Sequence, residues 1–75
     1  MTERVRAAIL DAALRRGRGK SLCPSEVAKA LAEDWRPLMP QVRAVAAGMP
    51  EIAVTQGGVE VDPVAARGPI RLRLR

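Results

Sequence analysis

Apolar positions follow a helical period as far as Pro50 and an alternating one beyond it. From about Thr2 to Arg16, Val5, Ile9, Ala12 and Ala13 recur at helical spacing, and Leu10 and Leu14 widen the stripe. Thr2 can cap this helix, Glu3 suits the positive end of its dipole, and Asp11 and Arg15 stand one turn apart for an ion pair. Gly17 and Gly19 end it in the basic loop Arg16-Gly17-Arg18-Gly19-Lys20. A second helix is predicted to start at Pro24, with Cys23 as an unusual cap and Glu26 reaching back to it. It should bury Val27, Ala30 and Leu31 and end near Asp34. Pro37 and Pro40 delay the third helix to about Met39 or Pro40. Its apolar side is Val42, Val45, Ala46 and Met49, and Gly48 and Pro50 stop it.

After Pro50 the period becomes two. Ile52 and Val54 alternate with Ala53 and Thr55, Gly57-Gly58 supplies a two-residue turn, and Val59 and Val61 alternate back. That turn sets Val54 opposite Val61 on one face and Thr55 opposite Glu60 on the other. A short connection after Asp62-Pro63 leads to Ile70-Arg71-Leu72-Arg73-Leu74-Arg75, apolar on one side and arginine on the other. Such an arginine row also keeps an edge strand from pairing with other chains. Three helices followed by a hairpin wing and a short C-terminal strand is the order of a winged helix-turn-helix, an α+β fold. Lys20 to Leu22 would be the strand between the first two helices that pairs with the wing. The expectation is one winged-helix domain over residues 1–75.

In detail the chain resembles a small family of uncharacterised bacterial winged-helix domains. The resemblance rests on Arg16-Gly17, Cys23-Pro24-Ser25-Glu26-Val27-Ala28, Trp35-Arg36-Pro37-Leu38-Met39-Pro40, Val42-Arg43, Val54-Thr55-Gln56-Gly57 and Gly68-Pro69-Ile70-Arg71. These blocks span nearly the whole chain. The resemblance implies the fold and brings no functional residues with it.

Composition narrows the function classes. A chain of 75 residues buries only roughly 60% of its unfolded surface, which leaves little wall for an enzyme cleft. His is absent, removing the commonest general base and metal ligand, and the lone Cys23 can make neither an internal disulfide nor a zinc site. Gly17-Arg18-Gly19-Lys20-Ser21 resembles the end of a phosphate-binding loop, but Leu14 stands where that motif needs glycine, and a helix precedes it rather than a strand. Trp35, the only aromatic residue, reads as a core anchor between the second and third helices, and Met39 and Met49 as core filler. The expectation is a binding protein, with no catalytic residues, no cofactor and no metal. The N-terminal stretch has no apolar run of the kind a signal peptide needs, and a membrane span is not expected; the expected location is cytoplasmic.

Charge supplies the candidate chemistry. The net charge is +5, and 11 of the 13 basic residues are arginine, a balance that favours anionic partners. It sits at the two ends of the sequence: residues 1–20 carry +4, residues 67–75 another +4, and residues 21–66 carry −3. The third helix offers only Gln41 and Arg43 for reading a groove, with Arg36 just before it, and its other outer positions, Ala44 and Ala47, carry no hydrogen-bonding groups. Glu60 and Asp62 on the wing repel phosphate. The expected function is nucleic-acid binding, DNA in first place, through phosphate contacts with little base readout. The candidate residues are Arg43, Gln41, Arg36, Arg16, Arg18 and Lys20. The alternative is a protein-interaction module using the uncharged outer face of the third helix. Arg43 discriminates between them: it contacts the ligand, or it is structural and pairs with an acid such as Glu51 or Asp62.

Overall fold

A computed structural model describes residues 2–75. Three helices, α1 (Thr2–Arg16), α2 (Pro24–Leu31) and α3 (Met39–Ala47), precede the strands β1 (Ile52–Gln56), β2 (Val59–Glu60) and β3 (Arg71–Leu74), and a single 3₁₀ turn (Arg36–Leu38) leads into α3. The strands form one antiparallel sheet in the order β2-β1-β3. The fold is α+β, with the element order of a winged helix-turn-helix.

Helical spacing selects the core. Val5, Ile9 and Ala13 of α1 and Val42 and Ala46 of α3 meet Val27 and Ala28 of α2. Met49, Ile52, Val54, Ile70, Leu72 and Leu22 close the core from the sheet side. In α2 the buried set is Pro24, Val27 and Ala28, with Leu31 half-buried, and Ala30 faces out. The expectation for Ala30 fails because alanine carries too little apolar area to mark a face. Leu14 likewise stands 60% exposed, beyond the reach of α2 and α3. α2 ends at Leu31, short of Asp34, because Ala32 is extended (φ −159°, ψ 150°); the chain turns there and brings Trp35 against the core.

Both central residues of the Gly57-Gly58 turn have positive φ, 60° and 84°, as the type I′ turn of a two-residue hairpin requires. Thr55 pairs with Glu60 as expected, and the Val61 N–H donates to the Val54 carbonyl at 3.0 Å. β2 itself is short and exposed. The longer partner of β1 is β3, which pairs along four residues from Ile52–Leu74 to Thr55–Arg71.

Leu22 does not pair with the 52–61 hairpin. It makes an antiparallel bridge to Leu72 of β3, with both N–H···O bonds at 2.8 Å. Leu72 and Leu22 are both fully buried. β3 therefore runs between β1 and the Leu22 segment rather than along a bare edge, and edge protection is not what its arginine row does there.

Residues 61–70, expected as a short connection, fold back instead. Asp62 holds this loop at one end, its Oδ1 accepting the Val64 N–H and its carbonyl the Ala66 N–H, each at 2.9 Å.

Candidate nucleic-acid interface

The six sequence candidates fall in four places. Arg43, on α3, turns its guanidinium into the 61–70 loop and donates to the carbonyls of Pro63 (3.3 Å), Ala66 (2.9 Å) and Gly68 (2.6 Å). Neither Glu51 nor Asp62 is its partner. Gln56, at the end of β1, completes the arrangement through its amide, which donates to the carbonyls of Arg67 (2.6 Å) and Pro69 (3.1 Å). Two side chains thus satisfy five backbone acceptors of a loop that lacks a ladder partner. Three of the donors of Arg43 are thus engaged within the fold, the Nη2 bond to Gly68 at an exposed position, so its role in the loop competes with a ligand contact.

Gln41 lies on a different side of α3, half-buried in a shallow groove it shares with Thr2, Glu3 and Arg6 of α1. Arg36 stacks on Trp35, its Cζ 4.6 Å from the ring centroid, and Lys29 Nζ approaches the same ring at 4.9 Å. Trp35 is half-buried with two cations over it, rather than a plain core anchor.

Arg16, Arg18 and Lys20 stay together in the α1–α2 loop. Arg16 Nη2 sits 2.7 Å from both carboxylate oxygens of Glu26. Glu26 is thereby drawn away from the capping role expected of it, since a charge-assisted contact to guanidinium outweighs one to a backbone N–H. Helix α2 is left with no side-chain cap at Cys23, whose φ and ψ (−83°, 138°) are those of an N-cap and whose Sγ accepts a hydrogen bond from Ser25 Oγ at 3.1 Å. Cys23→Ser is accordingly expected to raise stability by about 0.5–1 kcal/mol, because a serine Oγ can take up a free N–H of the first turn. A denaturant midpoint that falls instead would show that the thiol packs better than a hydroxyl caps.

The Leu22–Leu72 bridge carries this loop alongside β3. Arg71 Nε donates to Ser21 Oγ and its Nη2 to the Ser21 carbonyl, both at 3.0 Å, and Arg18 Nη1 reaches the Arg75 carbonyl at 3.4 Å. The basic segments at the two ends of the sequence thereby become one strip. β3 alternates, so Arg71 and Arg73 share the sheet face turned away from Leu72, whereas Arg75, just past the strand, turns to the carbonyls of Pro50 and Ile52 and to Glu60. Their register partners on that face are Thr55 and Ala53, and Ala53 is fully buried though it stands outside the core cluster. Arg73, its register partner, is half-buried and donates from Nη1 to the Leu74 carbonyl at 3.3 Å.

Acids neutralise only part of this charge. The ion pairs are Arg6–Glu51 (3.3 Å), Arg15–Asp11 (3.1 Å), Arg16–Glu26 and Arg75–Glu60 (both 2.7–2.8 Å). Within the strip, Arg18, Lys20, Arg71 and Arg73 have no Asp or Glu partner among the described residues. Arg71 and Arg73 are absent from the sequence candidates. Their strict alternation with apolar residues was the available signal, and it reads equally well as an edge-strand pattern.

Among the described residues no helix is long and apolar enough to cross a membrane. The chain matches no curated protein. A family model described as Protein of unknown function (DUF3253) matches residues 2–75, so the chain belongs to that family.

Proposed function

We propose that this domain is a binding module for nucleic acid, DNA first, which it holds through phosphate contacts with little base readout. The observation behind the proposal is the convergence of the two basic ends across the Leu22–Leu72 bridge. Arg18, Lys20, Arg71 and Arg73 have no Asp or Glu beside them among the described residues, and the attachments of Arg71 to Ser21 and of Arg73 to Leu74 are to neutral acceptors. A phosphate offers these guanidiniums a charged acceptor, open to bidentate contact, in place of a neutral one. Arg16, Arg18 and Lys20 remain in the candidate set, joined by Arg71 and Arg73. Arg36 and Gln41 are peripheral to it, and Arg43 serves the loop. The reading includes no catalytic step, and a cytoplasmic location suits it.

Four phosphates neutralised by these four cations predict a log–log salt slope of about −3.6 for duplex DNA, at ~0.9 per contact. Arg73→Gln should bring the slope down in magnitude by about one unit with the fold intact. Anisotropy titrations across a salt series, on parent and variant, provide the measurement. Affinity that does not change with salt, or a variant slope equal to the parent's, would count against the strip.

A second reading has its own observation. The outer surface of α3 presents exposed Pro40, Ala44 and Ala47 with Gly48 beyond them, and its one cation is turned inward. That uncharged surface suits packing against another protein, and it becomes the leading reading if low-salt titrations detect no nucleic-acid binding.

A further inference from the structure

We infer that the basic strip takes double helices as a class, A-form RNA duplexes as well as B-form DNA, and discriminates against single strands. The inference rests on the proposed nucleic-acid reading and deepens it by naming the form of the ligand. A protein separates B-DNA from A-form RNA chiefly by what it inserts into the major groove, which is wide in B-DNA and deep and narrow in A-form RNA. The helix with the fold position for such insertion, α3, has no donor that is both fully exposed and unengaged to insert. Arg43 is bound to three loop carbonyls, Gln41 is half-buried beside α1, and Pro40, Ala44 and Ala47 carry no side-chain donor or acceptor. The available cations are elsewhere, on a strand face and its neighbouring loop. A surface of that kind meets phosphates along the outside of a helix, and both duplex forms present them as two dense rows.

Single strands lack both that density and a place to dock their bases. Proteins that hold them without sequence preference use exposed aromatic rings as stacking platforms. Trp35 is the only aromatic residue, it is half-buried, and Lys29 and Arg36 already lie over its ring. Charge density is lower on a single strand too, which shows in its shallower salt response, ~0.7 rather than ~0.9 per contact.

The test uses the whole chain and four labelled probes: a DNA duplex, an RNA duplex of the same sequence, and one single strand of each, titrated at several salt concentrations. The expected result is duplex affinities within about threefold of one another and single strands at least about tenfold weaker at equal salt. Arg73→Gln should weaken both duplexes by the same factor, with an unchanged melting temperature as the control for folding. A DNA duplex preferred over RNA by more than about tenfold would overturn the inference, since it would require groove insertion. Single strands bound as tightly as duplexes would overturn it as well. Failure of these kinds leaves nucleic-acid binding standing, whereas absence of binding to all four probes at low salt would remove the underlying reading with it.

Discussion

Replacing Arg43 with alanine is expected to lower the stability of the fold by about 2–4 kcal/mol and to leave the salt slope for duplex DNA unchanged. The guanidinium makes three bonds to the carbonyls of Pro63, Ala66 and Gly68 across 20 to 25 residues of sequence. Each bond from a charged donor contributes roughly 1.5–3 kcal/mol net, but carbonyls freed at an exposed loop regain water, so the total falls well below three such bonds. A chain of 75 residues has about 4–11 kcal/mol of stability in all. The melting temperature should therefore fall by roughly 10–30 °C, at ~4–8 °C per kcal/mol. Arg43→Lys should recover only part of the loss, because an ammonium is a point donor and cannot span the three acceptors as a planar fork does. Faster proteolytic cleavage within residues 61–69 would locate the damage in the loop. A variant with full stability and a slope one unit shallower would instead return Arg43 to the ligand-binding set.

The second large effect concerns Leu72, which is fully buried and whose backbone forms the bridge to Leu22. Leu72→Ala should cost about 3–5 kcal/mol, the transfer energy of the removed atoms plus the cavity they leave. The site can collapse little, because Leu72 sits between β1, where Val54 is its register partner, and the Leu22 segment, to which its N–H and carbonyl are both bonded. Against a total of about 4–11 kcal/mol the variant will be marginal at room temperature, and calorimetry or a urea midpoint will show it. Leu14→Ala provides the contrast. Leu14 is 60% exposed, and its truncation should change stability by no more than about 0.5 kcal/mol. The two leucines look alike in the sequence, and if they gave equal losses the packing described for α1 and β3 would be wrong.

Loss of Leu72 would also bear on function. The bridge is what brings Arg18 and Lys20 beside Arg71 and Arg73, so a partly folded variant should bind nucleic acid with a shallower salt slope than the parent. The carbonyl clasp of Arg43 has no such consequence, since the 61–70 loop contributes none of the strip's four cations that lack an Asp or Glu partner. Stability and salt slope therefore separate the two positions, and measuring both on each variant keeps a folding defect from being taken for a binding defect.

Much of the fold was legible from residues near one another in the chain. Helical spacing in α1 and α3, the alternation of β1 and β3, the Gly57-Gly58 turn with its Thr55–Glu60 register, and the Asp11–Arg15 pair all depend on neighbours a few positions apart. Local geometry fixes such features whatever the rest of the molecule does. The face of α2 was not legible in the same way, since Ala28 and Ala30 carry equal side chains and only the packed neighbours decide which of them is covered. The candidate site was least legible of all. An arginine can reach any acceptor within several ångströms, so the sequence by itself determined that this chain is basic at both ends and that its third helix is poor in groove-reading groups. Only the tertiary structure decided where each guanidinium goes. Arg16 meets Glu26, Arg75 meets Glu60, Arg43 meets a loop 20 or more residues away, and Leu22 pairs with Leu72 rather than with the hairpin. The physical reason is that charge and hydrogen-bond partners are set by distance in space, and chain closure over tens of residues leaves no periodic trace in the sequence.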